Sequence, residues 1–342
     1  MSLITRRQGL WTLAGGVVAA TAIGARGIAQ TVPKSKTSMQ TLAVVEKNEG
    51  RVAFYAVPGG KRVGLVTLGI QPHEIVADPA GRFAFVGDYG VESWKAAGVG
   101  GDKIWVIDVD RRTLARTIDL SPFGRLHAVR MDRKGRLYVL SEKDSVLARF
   151  DTPATDKAPS RLVPVNGTRS HYLVVRRDGD RAYIADTMSG AVIMVDPDDT
   201  GVAPVRRHIG VAPEAMTLSV DEGALFVIDR PSGTLHALDA TSLAQRSQRT
   251  MRGEAVRIVT QTDGKLIVSN TQDKSLSRLN PTTLAEEDYL PLPAAAPGLN
   301  IIGDTVYASL QSDRVAIVDL RAWKIVGGFG TGSAPDSAIL MR

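Results

Sequence analysis

Three segments of the chain, PHEIVADPAGRFAFV (72–86), LHAVRMDRKGRLYVL (126–140) and SHYLVVRRDGDRAYI (170–184), each place a histidine eight residues ahead of a turn glycine. His73, His127 and His171 thereby account for most of the five histidines present. Other segments aligned in the same phase put Glu214 (PEAMTL) and Asp336 (PDSAIL) in the same slot. GEAVRIV puts Val256 there with Arg257 just after it, and PGLNII puts Gly298 there. Neutral imidazoles and carboxylates are good ligands for divalent zinc, manganese, iron, nickel or copper. His73, His127, His171 and Glu214 therefore read as a candidate metal set with one position left for water, which the ion would acidify. Without a metal, the same four are candidate catalytic groups, because a histidine near a carboxylate can act as a general base. Arg257 can grip an anionic group through its planar fork. Glu74 and Tyr172, each next to a slot histidine, join Arg257, Asp336 and Trp94 as candidate ligand-binding residues.

Other chemistry is excluded or unsupported. Cysteine is absent, so disulfides, zinc–thiolate sites and iron–sulfur clusters are ruled out. The chain has no Gly-x-Ser-x-Gly elbow, phosphate-binding loop, His-Glu-x-x-His or EF-hand motif, and neither haem nor a nucleotide cofactor is expected. Basic pairs such as Arg111–Arg112 and Arg206–Arg207 are dispersed and lack interleaved aromatics, so nucleic acid is not an expected partner. The expected partners are a small molecule or a metal ion, with a protein partner as a further candidate.

Equal phase has meaning only if the phase belongs to a repeat. One module recurs: an apolar strand, a glycine turn, a second strand, a polar loop, a third strand ending in Asp or Asn, and a turn into a fourth. Second strands read FAFVGD, LYVLS, AYIAD, LFVID, LIVSN and VYASL. Third strands close on Asp108, Asp151, Asp196, Asp239, Asn280 and Asp319, spaced 43, 45, 43, 41 and 39 residues apart. The closing aspartates read as turn locks that bond nearby backbone amides. A four-strand unit of about forty residues is the size of a β-propeller blade. Six units run from Gln71 to about Gly330, and residues 41–68 with the C-terminal SAPDSAILMR make a seventh. The expectation is all-β: one seven-bladed propeller over residues 41–342, closed by N- and C-terminal strands in one blade, which removes open sheet edges. First strands line the central channel, so the slot residues should ring its mouth. The long loop DYGVESWKAAGVGGDK (88–103), carrying Tyr89, Trp94 and Lys95, suits a lid or wall over that funnel. Asp88, Asp186, Asp229 and Asn270 end the second strands beside it, while His208 and His236 fall on outer strands as structural or surface residues.

AYIAD, FAFVGD and LIVSN, with the third-strand turns VIDVDRRTL and IVDLRAW, resemble the YVTN repeat of YncE-like seven-bladed propellers over nearly all of residues 41–342. The resemblance implies a periplasmic propeller, and it leaves function open among binding proteins, lactonases, lyases and quinoprotein subunits.

Residues 1–29 read as an export signal: Arg6–Arg7 beside Thr5 with Leu10 following, an uncharged stretch from Gln8 to Ala25, and a small-residue end at Ala29. The arginine pair matches a twin-arginine signal except that Gly9 stands where Phe is usual. Cleavage is expected after Ala29, with a polar linker over 30–40 and no membrane span afterwards. Loss of Arg6, Arg7 and Arg26 takes the formal net charge from +6 to +3. The functional expectation is an exported periplasmic propeller binding a small anionic ligand or a divalent metal in the channel mouth. The alternatives are a metal-dependent hydrolase of lactonase type or a lyase using the same His/Glu cluster, and a non-catalytic interaction scaffold.

Overall fold

The structure, a computed structural model, describes residues 40–341; the export signal and nearly all of the linker lie outside the described residues. Strands dominate, and a short 3₁₀ turn at Lys47–Glu49 is the one helical element among the described residues. The strands form seven four-stranded antiparallel sheets, each with its first strand innermost. In blade 1 that inner strand is the last of the chain, Pro335–Met341, paired with Thr41–Glu46. The chain is therefore a seven-bladed β-propeller, closed as expected. No helix among the described residues is long and apolar enough to cross a membrane.

Second strands such as Phe83–Asp88, Leu137–Ser141 and Ala182–Asp186 are almost wholly buried, because both faces pack against adjoining blades. That double burial is why they read as continuous apolar runs. Fourth strands such as Gln245–Thr250 face water and carry polar residues. The core consequently lies between blades. Phe54, Ile75, Val86 and Trp105 join blades 1 and 2, and Phe85, Leu126, Leu137 and Phe150 join blades 2 and 3. Each such side chain contributes about 1.5–3 kcal/mol by burial. The closing aspartates lock turns: Asp239 accepts from the amides of Thr241 (3.0 Å) and Ser242 (2.8 Å), and Asp319 from those of Arg321 (2.8 Å) and Ala322 (3.0 Å).

A second periodic feature sits on the inner strands. Leu126 pairs with Ser141 and Ala128 with Leu140, so His127 is an extra residue in a β-bulge. His171 and Glu214 are bulged in the same way, and so is Val256. In blade 2 the irregularity spans His73 and Glu74, and in blade 1 it falls between Pro335 and Ala338, at Asp336 and Ser337. A bulge re-aims a side chain out of the regular pleat. Blade 7 pairs regularly through Gly298. A Cβ there would come within 2.6 Å of the Asp336 carbonyl oxygen, so the slot has no room for a side chain.

Candidate functional site

The bulges bring the three histidines into one stack. The His73 and His127 ring centroids lie 4.2 Å apart and edge-on, and those of His127 and His171 lie 3.9 Å apart. His127 is 0% exposed, and neither of its ring nitrogens has a hydrogen-bond partner among the described residues. Burial, followed by the neighbouring His171 and His73, drives its pKa well below the ordinary histidine range, so its imidazole is neutral.

Carboxylates face the Nδ1 atoms of the outer two rings. His171 Nδ1 lies 2.7 Å from Glu142 Oε2. With a carboxylate as acceptor, Nδ1 is the donor, and in the neutral ring this tautomer leaves the lone pair on Nε2. That Nε2 lies 4.0 Å from Glu214 Oε1, and Glu214 Oε2 is buried without a hydrogen bond. His73 Nδ1 lies 2.5 Å from Asp336 Oδ2, at an angle outside good hydrogen-bond geometry. Burial, reinforced by Lys47, lowers the His73 pKa despite this neighbour. Burial raises the Asp336 pKa, but His73 and Lys47 outweigh it and hold the group below its ordinary value.

Glu142, 0% exposed, is the best-satisfied carboxylate of the site. It receives the Tyr89 hydroxyl (2.8 Å), His171, Arg125 (3.2 Å) and Arg169 (3.4 Å). Burial alone would push its pKa up; the donors, His171 first, reverse that and hold it down. Burial pushes the Tyr89 phenol well up, so it remains a donor, and its ring packs 4.8 Å from His127 and 5.2 Å from His73.

The loop after Asp88 is a fixed wall rather than a free lid. Arg125, 3% exposed, reaches into it and donates to the carbonyls of Trp94 (3.3 Å), Ala96 (2.5 Å) and Gly98 (2.8 and 3.2 Å) while also contacting Glu142. Arg125 itself sits at φ 55°, a conformation uncommon outside glycine and asparagine.

The expected mouth is present as a cavity of about 1320 Å³ lined by His73, His171, Glu214, Trp94, Arg257 and Asp336. Glu74 and Tyr172 do not line this funnel. Tyr172 follows its bulge and Glu74 ends the irregularity of blade 2, and both face a deeper cavity of about 480 Å³ along the inner strands. Glu74 is ion-paired with Arg130 and accepts from the Val129 amide (3.2 Å). Arg257 and Asp336 border both spaces. His127 has Tyr89 and the other histidines between it and the funnel. His208 is exposed and His236 buried, both away from these cavities.

The second-strand acids serve structure. Asp186 accepts from the amides of Thr168 (2.9 Å) and Arg169 (2.6 Å), and Asp229 from those of Val211 (3.1 Å) and Ala212 (2.7 Å). Asp88 differs: burial pushes its pKa up to about 6 from 3.8. A raised folded-state value means the native chain binds this proton more tightly than the unfolded chain. Burying the charged form therefore costs stability at neutral pH, and the cost is relieved as pH falls from about 6 to 3.8. Asp88→Asn is expected to raise stability at pH 7.5 by about 1 kcal/mol or more and to flatten the pH profile across that window, read by urea melts. A variant less stable than the parent at pH 7.5 would contradict this assignment.

The partners of the slot residues hidden in the sequence stand one position beyond four of the seven second strands. Lys47, Tyr89, Glu142 and Arg230 form a second in-phase set above the bulge residues. Lys47 pairs with Asp336 (3.6 Å) and Arg230 with Glu214 (2.9 Å). Aligning the residues after FAFVGD, LYVLS and LFVID would have found the last three.

No protein-family profile and no curated protein sequence matches the chain. Solved structures do. An inferred 6-phosphogluconolactonase from Bacteroides uniformis is 15% identical with a TM-score of 0.68, over 88% of this chain and 99% of that one. Apo AztD from Citrobacter koseri is 11% identical with a TM-score of 0.63, over 89% and 98%. The hydrazine synthase of Kuenenia stuttgartiensis is 14% identical with a TM-score of 0.68, over 82% and 92%. At such identities the likeness is one of fold.

Proposed function

We propose that this propeller binds a divalent first-row transition metal at the head of its channel. One observation carries the reading: His127 is sealed between two other histidine rings with both ring nitrogens unpartnered among the described residues. Buried polar atoms normally find partners, and leaving one unmade costs roughly 1–3 kcal/mol. His127, Glu142 and His171 form the tightest group of potential ligands, their donor atoms all within 4.8 Å of one another. Glu142, however, already accepts from four side chains. Both ring nitrogens of His127 and Oε2 of Glu214 are buried without a hydrogen bond, and Nε2 of His171 lies 4.0 Å from Glu214 Oε1. Glu142 then orients His171 from behind, the arrangement commonly seen around metal-ligating histidines, while Asp336 faces Nδ1 of His73 as its nearest carboxylate. Tetrahedral zinc holds nitrogen donors at about 2.0–2.1 Å, hence about 3.3 Å from one another, so loading contracts the cluster.

Zinc titration tests the reading. One equivalent bound is expected, and free zinc at a hundred times its Kd should stabilise the fold by about 2.7 kcal/mol. A flat titration and an unmoved melting curve would favour the scaffold alternative. The hydrolase alternative uses the same residues; turnover of lactones by the zinc-loaded chain, lost in His127→Ala, would establish it. Arg6–Arg7 and the small-residue end at Ala29 support twin-arginine export to the periplasm, and the strand signatures support a place among YncE-like propellers.

A further inference from the structure

Most charges along the channel have an ionic partner. Glu74 is paired with Arg130 and Asp336 with Lys47 (3.6 Å), Glu214 (2.9 Å) and Glu254 (2.6 Å) share Arg230, and Glu142 takes both Arg125 (3.2 Å) and Arg169 (3.4 Å). Arg257 is left over. Among the described residues no carboxylate lies within 4.0 Å of it, and its one hydrogen bond goes to the Val256 carbonyl (3.2 Å). Its guanidinium lies 5.7 Å from the centre of the Tyr172 ring, and that of Arg130 lies 5.0 Å from the same ring. A guanidinium on the wall of a partly enclosed space, with donors unspent, is a carboxylate-binding fork.

The deeper cavity beside it supplies the rest of a site. Its volume, about 480 Å³, is in the range of small-molecule pockets. Val259, Leu299, Ile302, Ile339 and Leu340 form much of its wall, and its polar lining is the Glu74–Arg130 ion pair, Asp336, Ser337, Asn300 and Arg257. Asn300 spends its side-chain oxygen on the Ala338 amide (2.9 Å). An aliphatic wall beside a guanidinium whose donors are unspent selects the ligand class.

We infer that this deeper cavity binds a small monocarboxylate with an apolar body, its carboxylate on Arg257 and its chain against the aliphatic wall. The ligand is distinct from the metal and needs none. The test is calorimetric titration of the full chain with hexanoate, in the presence of EDTA. Hexanoate is expected to bind, with hexanamide and acetate each at least tenfold weaker, since one lacks the charge and the other the body. Arg257→Gln should weaken hexanoate at least tenfold, and Ile302→Asp, which sets a like charge in the apolar wall, should do the same. If Arg257→Gln does not fold, judged by its melting curve, Ile302→Asp and the two comparison ligands decide. The inference is overturned if the parent chain shows no hexanoate binding, if hexanamide binds equally, or if binding appears only with zinc and vanishes in His127→Ala. That last outcome would put the carboxylate on the metal and leave the metal reading intact.

Discussion

His127→Ala is expected to weaken zinc binding roughly a hundredfold or more, because about 10–16 kcal/mol of a structural zinc site divides among about four ligands. The side chain is central: its ring touches both other histidines and is wholly buried. Competition against a chromogenic chelator measures the affinity directly. A melt in EDTA separates loss of a ligand from loss of the fold, since removing a buried imidazole also leaves a cavity. Two milder variants divide the roles of the carboxylates. Glu214→Gln should cost as much as losing a ligand. Glu142→Gln, acting through the orientation of His171, should cost about 10–100-fold. Equal zinc affinity in His127→Ala and the parent chain would end the metal assignment.

Arg125→Met is expected to destabilise the propeller by about 1.5–3 kcal/mol, since it takes from buried Glu142 the nearer of its two guanidinium partners and leaves it Arg169. The same change removes the donors that hold the carbonyls of Trp94, Ala96 and Gly98. The loop over 89–102 should therefore open before the blades do. Limited proteolysis should cut within it, and hydrogen exchange should accelerate there while the blade strands stay protected. Arg125→Lys should rescue little, because one ammonium cannot reach three carbonyls and Glu142 together. A variant with parental stability and an uncut loop would show that the wall stands without this guanidinium.

The sequence disclosed the ring because repetition is a long-range signal: third-strand aspartates about forty residues apart hold the same turn in successive blades. It disclosed the histidine stack for the same reason, since one phase means one height on a common axis. It hid the bulges, which add a residue on the inner strand without changing the residue types that form it. For that reason the sequence did not show that Glu74 and Tyr172, adjacent to slot histidines, face the deeper cavity and not the funnel. It also hid the partners of the stack. Glu142 lies one residue past a strand, where counting from strand ends misses it, and Arg125 acts on a loop through backbone carbonyls that no side-chain pattern announces.

Blade 1 takes its inner strand from the far end of the polypeptide, and that strand carries Asp336, the carboxylate against His73. During synthesis the other blades can begin to form in order, yet His73 must wait for the final stretch of chain before its neighbour arrives. The proposed ion site would thus mature last, and a molecule lacking this strand would hold most of its architecture without a finished cargo position. Zinc loading would then report that the circle has been completed.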